Sequence, residues 1–240
     1  MDLQGQVIIV TGASSGIGMA CARLLMPGKA HLVLVARRGE KLRELTQEVK
    51  AAGGEALALA ADFARAEQIE KAFGQVADTF GRLDVLINSA GLGVYGLVRE
   101  GKTQDWRRMI DLNLFGLICA TQQALHLMLP QKRGHIINVS SVAGRISIPG
   151  WAVYVATKWG VNGFTDSLRR EVCKENIRVT LIEPGAVDTP WGENIPESFQ
   201  VQRTVFLNAE DVARAIIYAI EQPLQVSINE ILLRPTQQER

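Results

Sequence analysis

Short runs of Val, Ile and Leu alternate along the chain with longer segments in which apolar residues recur at helical spacing. Few polar residues interrupt the short runs, so strands formed from them must be covered on both faces. Such alternation is typical of parallel strands joined by crossover helices. We predict strands over residues 7–10, 31–36, 56–60, 85–88, 135–140, 178–183 and 228–232.

Segments of helical period separate these strands, and some end at recognisable capping residues. Gly53 and Gly54 follow the second segment as a left-handed cap would, and Asn208 precedes the last one as an N-cap. The predicted helices span residues 16–26, 38–52, 66–80, 103–129, 153–175 and 209–222. Residues 185–207 carry prolines and no clear period, so we predict a loop there and consider it a candidate lid.

These elements predict one α/β domain over residues 1–240. Its core would be a doubly wound, mainly parallel seven-stranded sheet flanked by helices, in three α/β/α layers. A chain of 240 residues suits one such domain, and neither a repeat nor a linker divides it.

Composition and charge narrow the possible partners. Charged residues make up 21% of the chain and the net charge is +1, without a block of like charge. We therefore expect no nucleic-acid or membrane partner, because both need clustered Lys and Arg. We also expect no membrane span, which would need about 18 apolar, uncharged residues in a row.

The first residues and the cysteines bear on the cellular compartment. The chain enters an apolar strand without a basic leader, so we expect a cytoplasmic protein. Cys21, Cys119 and Cys173 are far apart, and each lies in a segment of helical period. We therefore expect buried free thiols, with neither a disulfide framework nor a metal site.

A glycine-rich run, T-G-A-S-S-G-I-G, follows the first strand and opens the first helix. Its glycines, Gly12, Gly16 and Gly18, would let backbone N–H groups approach a pyrophosphate at a helix N-terminus. The alternative is a tight turn that needs glycine only for a positive φ. Three glycines at this spacing after the first strand favour nucleotide binding in a Rossmann-like fold.

Charge at the end of the second strand bears on which dinucleotide would bind. An Asp or Glu there accepts a hydrogen bond from the ribose of NAD, but this chain has Arg37 and Arg38. A guanidinium can bind a 2′-phosphate through two hydrogen bonds, which favours NADP(H) over NAD(H). Two alternatives remain: Glu40 as the ribose acid, and both arginines as a solvated start of the helix.

Tyr154 and Lys158 are four residues apart in a predicted helix, so their side chains share a face. A nearby ammonium would lower the pKa of the tyrosine and make it a general acid/base near neutral pH. Taken alone, this pair is more often an amphipathic helix surface. Ser141, at the end of the preceding strand, could donate to a developing oxyanion, or could be a turn serine.

Several motifs now follow one another in a familiar order. The glycine-rich run T-G-x-x-x-G-x-G, the segment N-S-A-G after the fourth strand, the Y-x-x-x-K pair and the segment P-G-x-x-x-T after the sixth strand all resemble the short-chain dehydrogenase/reductase family. The resemblance covers nearly the whole chain. It implies a cofactor half over residues 1–130 and a catalytic and substrate half over residues 131–240.

The resemblance also implies roles for individual residues. It makes Ser141, thirteen residues before Tyr154, the catalytic serine, and it makes Asn113 the helix residue that holds a water linking Lys158 to solvent. Lys158 would also hold the nicotinamide ribose. The implied cofactor contacts are Gly12, Ser14, Ser15, Gly16, Ile17, Gly18, Arg37, Arg38, Asp62, Phe63, Asn88, Ala90, Gly91, Tyr154, Lys158, Pro184, Gly185, Val187 and Thr189. Asp62 could equally be an N-cap.

Residues after the strands near the nicotinamide would reach a substrate. We expect Ser141, Tyr95, Arg145, Trp151 and Trp191 among them. Arg145 could meet a substrate carboxylate, or bind solvent or a partner subunit, and the tryptophans could recognise a ring or simply pack. The tail over residues 229–237 resembles a subgroup with clavulanic acid dehydrogenase and NADP-dependent hydroxy-acid and serine dehydrogenases.

The family resemblance implies a homotetramer or dimer that pairs through the helices at 103–129 and 153–175. The implied activity is reversible hydride transfer between NADP(H) and a small carbonyl or alcohol. Two rival hypotheses exist. A non-catalytic NADP(H)-binding sensor or scaffold would not need the Tyr, Lys, Ser and Asn set, and an epimerase or dehydratase is usually a longer chain.

Overall fold

The structure is a computed structural model that describes residues 3–192, 195 and 206–239. A parallel seven-stranded sheet crosses it in the order β3-β2-β1-β4-β5-β6-β9. This confirms the predicted fold class. The strands of this sheet are β1 Val7–Thr11, β2 His31–Ala36, β3 Glu55–Ala60, β4 Val85–Asn88, β5 Gly134–Val139, β6 Ile177–Pro184 and β9 Glu230–Leu233. Two further two-residue strands, β7 Val187–Asp188 and β8 Leu207–Asn208, pair with each other.

Helices connect the strands close to the predicted positions. They are α1 Gly16–Leu25, α2 Gly39–Ala51, α3 Ala66–Phe80, α4 Thr103–Ile110, α5 Leu117–Gln131, α6 Ala152–Val172 and α7 Ala209–Glu221. Short 3₁₀ turns lie at Met26–Gly28, Val98–Glu100, Val142–Gly144 and Cys173–Glu175. As predicted, Asn208 caps α7: its side chain accepts a backbone hydrogen bond, and Asp211 accepts one from the backbone N–H of Asn208.

The sheet has an apolar core on each face, which explains the unbroken apolar runs. Ile8 and Val10 of β1 pack with α1, α2 and α7, whereas Val7 and Ile9 pack with α3, α5 and α6. Successive side chains of a strand point to opposite faces, so a strand buried on both sides needs apolar residues at every position.

The predicted helix over residues 103–129 is continuous but not regular. A π-helical turn, Asp111–Gly116, joins α4 to α5. A Cβ on Gly116 would lie 1.8 Å from the carbonyl oxygen of Phe63, so only glycine lets the loop after β3 approach the helix this closely.

That helix also corrects the expectation that no segment is apolar enough to cross a membrane. The run Thr103–Gln131 meets the requirement by length and composition, with 29 residues and a mean hydropathy of 1.3 over its most apolar window. A helix in the core of a globular domain meets the same requirement. Here Ala120, Ala124 and Met128 are buried against the sheet.

The cysteines differ from one another in exposure. Cys21 is buried, and burial raises its pKa to about 12. Cys119 is half-buried and Cys173 is exposed, so the prediction of three buried thiols is correct for Cys21, partly correct for Cys119 and wrong for Cys173. It lies in the 3₁₀ turn after α6 rather than on the buried face of that helix. Within the described ranges, no group of three or more His, Cys, Asp or Glu side chains could hold a metal ion.

Candidate active site

A cleft of about 1370 Å³ opens at the carboxyl edge of the sheet, where the loops after β1 to β6 meet. The strand order reverses between β1 and β4, and open parallel sheets bind ligands at this kind of crevice. Residues 193–194 and 196–205 of the predicted lid lie outside the described residues. The described lining joins the glycine-rich turn to Ser141, Tyr154 and Trp191.

The glycine-rich turn needs each of its glycines. Gly12 and Gly16 have φ values of 69° and 53°, in the left-handed region. A Cβ would lie 3.0 Å from the backbone of Ala90 at Gly12, and 2.6 Å from the carbonyl oxygen of Gly12 at Gly18. Gly12, Ser14, Ser15, Gly16 and Ile17 line the cleft, whereas Gly18 packs behind it. A phosphate can therefore approach the backbone at the start of α1.

The two arginines after β2 differ in their contacts. Arg38 donates hydrogen bonds to Ser14 Oγ at 3.0 Å and to Ser15 Oγ at 2.7 Å, which holds its guanidinium at the glycine-rich turn. Arg37 also lines the cleft and is exposed. Glu40 lies in the first turn of α2, outside the cleft lining, where it complements the helix dipole.

The loops after β3 and β4 meet the cleft with all of the expected residues except Asn88. Asp62 and Phe63 line it, and the Asp62 carboxylate also accepts a hydrogen bond from the backbone N–H of Ala64 at 3.1 Å. Ala90, Gly91 and Ser89 line it as well. Asn88 does not, which corrects its assignment as a cofactor contact.

Asn88 instead belongs to a buried polar network in the sheet. Its Nδ2 donates to Asn138 Oδ1 at 2.9 Å and to Thr121 Oγ1 at 3.2 Å. An amide buried between β4, β5 and α5 must find such partners, because an unpaired polar group inside the protein is costly. The end of β6 and the segment that follows it add Pro184, Gly185, Val187 and Thr189 to the cleft lining.

The structure brings Ser141, Tyr154 and Lys158 together. The Lys158 Nζ lies 5.7 Å from the centroid of the Tyr154 ring and donates to the Val139 carbonyl at 2.9 Å. Ser141 caps the 3₁₀ turn that follows β5, accepts the Ala143 N–H at 3.1 Å and forms a hydrogen bond with Tyr154. All three residues line the cleft.

Burial dominates the titration of this site. It raises the pKa of Tyr154 well above its usual value, and the hydrogen bond with Ser141 lowers that pKa by less. Burial also lowers the pKa of Lys158 to about 8. The expectation that Lys158 depresses the pKa of Tyr154 is therefore wrong for this structure. Tyr154 is a neutral phenol at neutral pH, which suits it to donate a proton.

Asn113 lies in the π-helical turn rather than in a regular helix, 1% exposed and outside the cleft lining. Its Oδ1 accepts the Leu92 N–H at 2.8 Å, and its Nδ2 donates to the Leu92 carbonyl at 2.8 Å and to Thr157 Oγ1 at 3.2 Å. Thr157 in turn donates to the Tyr154 carbonyl. Asn113 thus ties the loop after β4 to the helix of Tyr154, and its role in holding a water stays a prediction.

Aromatic side chains form the wall beside Tyr154. Trp151 and Trp191 stack at 5.4 Å between ring centroids, and Trp191 lies edge-on to Tyr154 at 4.9 Å. Both tryptophans line the cleft, so the same two rings pack against each other and form part of its wall. Tyr95 contacts the edge of Trp151 but lies outside the cleft, which corrects its assignment to the substrate. Gly150, across from Tyr95, leaves room for that ring.

Arg145 does not reach the cleft either, although it follows Ser141 by four residues. Its Nε donates to both carboxylate oxygens of Glu183 at 2.8 Å, and its NH2 forms an ion pair with Glu230. A fully buried carboxylate needs this partner, so the guanidinium points away from any substrate. Of the alternatives considered for Arg145, contact with a substrate carboxylate is therefore wrong: its partners are Glu183 and Glu230.

Comparison with known proteins identifies the family of this chain. The model of the family described as short chain dehydrogenase matches residues 6–199. The chain belongs to the short-chain dehydrogenase family. Among its relatives, an uncharacterized oxidoreductase of Staphylococcus saprophyticus is 38% identical over 99% of this chain and 98% of its own length. One of Listeria monocytogenes is 39% identical over 99% of both chains.

Solved structures of other proteins are similar over at least 98% of this chain. A metagenomic short-chain oxidoreductase in complex with NADP is 38% identical, with a TM-score of 0.85, over 98% of this chain and 99% of its own. Serine dehydrogenase in its closed form with NADP⁺ is 32% identical, with a TM-score of 0.90, over 98% and 97%. An alcohol dehydrogenase of Thermococcus sibiricus with 5-hydroxy-NADP is 28% identical, with a TM-score of 0.89, over 99% of both chains.

The structure also shows a cleft residue of this short-chain dehydrogenase that sequence reasoning missed. Gln238, near the end of the described chain, lines the cleft and accepts the Ala186 N–H at 2.9 Å through Oε1. A Cβ on Gly185 would lie 2.2 Å from that oxygen. Only the tail that resembles a dehydrogenase subgroup drew attention to this region, and no local pattern places a C-terminal side chain against a loop about 50 residues earlier.

We expect Gln238→Ala to raise KM for a ketone substrate about fivefold with little change in kcat. The variant loses one hydrogen bond that holds the loop after β6, worth about 1 kcal/mol. Steady-state kinetics at saturating NADPH measure the effect. Gln237→Ala, at an exposed neighbouring position, is the control and should match the wild type. A lowered kcat with unchanged KM would contradict a holding role.

Lys158→Met should stabilise the ligand-free protein at pH 7 by about 2 kcal/mol, although it removes a site residue. The folded pKa of Lys158, about 8, is below its ordinary value of 10.5. Charged Lys158 therefore penalises folding fully below pH 8, and the penalty disappears as the pH rises toward 10.5. Urea unfolding at pH 7 and pH 10 tests this. Exposed Lys71→Met is the control, and an equal gain in that variant would show that the desolvated charge of Lys158 is not the cause.

Proposed function

We propose that this short-chain dehydrogenase transfers hydride reversibly between NADP(H) and a small carbonyl or alcohol. The observation that carries this proposal is the contact of Ser141, Tyr154 and Lys158 within one cleft, beside a turn shaped for a dinucleotide phosphate. The alternative, a non-catalytic NADP(H)-binding scaffold, would need the glycine-rich turn but not these three side chains.

In the direction of reduction, Ser141 and Tyr154 hold the substrate oxygen. When bound, the nicotinamide supplies the hydride to the carbonyl carbon. Tyr154 donates its phenolic proton to the oxygen as charge develops there, and the Ser141 hydroxyl stabilises that charge. Lys158 would hold the nicotinamide ribose and, with Asn113 and a water, return a proton to Tyr154. In oxidation, Tyr154 would first lose its proton through Lys158, Asn113 and the water, and the phenolate would then accept the hydroxyl proton of the alcohol.

NADP(H) is proposed over NAD(H) because of Arg38. Its hydrogen bonds to Ser14 and Ser15 place a guanidinium beside the glycine-rich turn, with Arg37 exposed next to it. In the described cleft lining, the segment directly after β2 has no acidic side chain that could accept a hydrogen bond from the ribose of NAD. The solved relatives in complex with NADP or 5-hydroxy-NADP support the same preference.

We propose a small, uncharged substrate. Trp151, Trp191 and Ile148 make its part of the cleft apolar, and Lys158 is the cationic side chain in that part of the described lining. The guanidinium of Arg145 binds Glu183 and so adds no positive charge to this part of the cleft. The tail over residues 229–237 and the likeness to serine dehydrogenase support membership of the clavulanic acid, hydroxy-acid and serine dehydrogenase subgroup. Within it, this chain would accept a neutral ketone or aldehyde.

We further propose a cytoplasmic homotetramer or dimer. Ile110, Phe115 and Trp159 expose apolar side chains on the helices α4 to α6 and the turn between them. These exposed residues support pairing through the segments 103–129 and 153–175. Light scattering of the wild type and of Trp159→Glu, at matched concentration, would reveal a loss of assembly.

Fluorescence titration with NADPH and NADH tests the cofactor preference. We expect Arg38→Ala to weaken NADPH binding about 10- to 100-fold and to leave NADH binding unchanged, since a charge-assisted contact to phosphate is lost. Arg99→Ala, which removes an exposed arginine of the turn after β4, is the matched control. Turnover of a panel of small ketones and aldehydes tests the reaction. NADPH binding without any turnover would favour the scaffold.

A further inference from the structure

A partly buried hydrogen-bond network beside the cleft holds the loop that carries Ser141. Asn162 lies one turn after Lys158 on α6 and connects three elements. Its Oδ1 accepts the Ser140 hydroxyl at 2.6 Å, and its Nδ2 donates to the Gly144 carbonyl at 3.1 Å and to Glu183 Oε1 at 2.7 Å. Ser140 and Gly144 bracket Ser141, so the amide of Asn162 holds this loop on both sides.

The Glu183 carboxylate strengthens the attachment of the 140–145 loop to α6 and β6. Glu183 is 0% exposed and precedes Pro184 at the end of β6, next to the loop that lines the cleft. Arg145, at the end of the same 140–145 loop, binds it through two hydrogen bonds. A Cβ on Gly144 would lie 2.6 Å from Asn162 Oδ1, so the loop packs directly on the amide. The loop is thus fixed to α6 and β6 by charge, hydrogen bonds and close packing.

This attachment bears on the direction of the Ser141 hydroxyl. The Ser141 Oγ accepts the Ala143 N–H and forms its other hydrogen bond with Tyr154. Its orientation therefore depends on the backbone path between Ser140 and Gly144. We infer that Asn162 is a positioning residue of the reaction: it sets the path of this loop and so the aim of the Ser141 hydroxyl at the substrate oxygen. The inference rests on the proposed function.

Another polar side chain on the same helix offers a matched comparison. Thr165 Oγ1 accepts a hydrogen bond from Asn138 Nδ2 at 3.0 Å, which also connects α6 to β5, but it has no hydrogen bond to the 140–145 loop. Thr165→Val removes a buried hydrogen-bonded connection between α6 and the sheet, and Asn162→Leu removes a partly buried one. They differ in whether the loop of Ser141 loses its support.

Amide hydrogen exchange of the full-length protein measures the attachment without any turnover. The N–H groups of Gly144 and Arg145 bond back within the turn. We expect them to exchange about tenfold faster in Asn162→Leu than in the wild type, and at the wild-type rate in Thr165→Val. Ser140→Ala removes the hydrogen bond between Ser140 and Asn162 with a smaller change in the side chain. If Asn162→Leu folds poorly, Ser140→Ala should still show faster exchange of the same two N–H groups. Unchanged exchange in both loop variants would overturn the inference.

A double-mutant cycle then tests the role in the reaction, with NADPH and acetophenone, a neutral ketone, as probes. We expect Ser141→Ala to lower kcat about 100-fold and Asn162→Leu about tenfold, with NADPH affinity unchanged. Because Asn162 acts through Ser141, the double variant should be no slower than Ser141→Ala alone. If the double variant instead loses kcat by the product of the two single effects, Asn162 does not act through Ser141. That result would overturn the inference but not the proposed function. Absence of turnover by the wild type with every carbonyl of the panel would overturn the proposed function as well.

Discussion

Tyr154→Phe is expected to lower kcat/KM for NADPH-dependent carbonyl reduction about 1000-fold, while the affinity for NADPH changes little. The phenylalanine ring keeps its contacts with Trp151 and Trp191, but the proton donor is lost. Burial keeps the Tyr154 phenol protonated at neutral pH, so the wild type should reduce carbonyls with the same proton donor across pH 6 to 8. Initial rates with saturating NADPH measure both effects.

Tyr95→Phe is the matched control for this experiment. It removes a phenol hydroxyl from a ring that contacts the other side of Trp151 and lies outside the cleft. Its rate should stay within about twofold of the wild type, since surface and near-surface changes of this kind are usually small. A Tyr154→Phe enzyme that keeps a tenth of the wild-type rate would show that another group donates the proton.

Arg145→Met should lower the free energy of unfolding by about 3–5 kcal/mol, the second large effect we expect. The substitution preserves much of the apolar stem but leaves the Glu183 carboxylate, which is fully buried, without its guanidinium. Such a charge is far more costly unpaired than paired. Urea unfolding at pH 7.5 without cofactor measures the loss.

Two further variants identify the cause of that loss. Arg107→Met breaks an exposed ion pair with Asp111 and should cost less than about 1 kcal/mol. Adding Glu183→Gln to Arg145→Met removes the buried charge while keeping an oxygen that can accept from Asn162, so stability should recover in large part. A double variant as unstable as Arg145→Met would mean that lost packing, not the unpaired charge, is responsible.

The candidate site was predictable where it depends on neighbours in the chain. The positive φ of Gly12 and Gly16, the shared helix face of Tyr154 and Lys158, and the position of Ser141 at a strand end follow from local geometry. These motifs lie at the carboxyl ends of strands, so a parallel sheet brings them to one edge in any chain of this pattern. Their assembly in the cleft therefore did not need the three-dimensional structure.

The wrong assignments of Arg145 and Asn88, and the cleft residue Gln238 that sequence reasoning missed, concern side chains whose partners lie far along the chain. Arg145 meets Glu183 and Glu230, Asn88 meets Asn138, and Gln238 reaches Ala186. Each contact joins separate loops or strands, and the sequence carries no periodic signal for which side chain will face which. The position of Arg145 four residues after Ser141 suggested a positive charge near the substrate. In the structure its guanidinium instead binds Glu183, the buried carboxylate of β6.

The sequence by itself determined the sheet, its covering helices and the motifs at its edge, because hydrophobic period and turn chemistry are local properties. Only the tertiary structure decided burial, and burial set the electrostatics. It raised the pKa of Tyr154 where the charge of Lys158 alone predicted a decrease, and it required Arg145 beside Glu183. Desolvation depends on every atom that surrounds a group, which no short stretch of sequence contains.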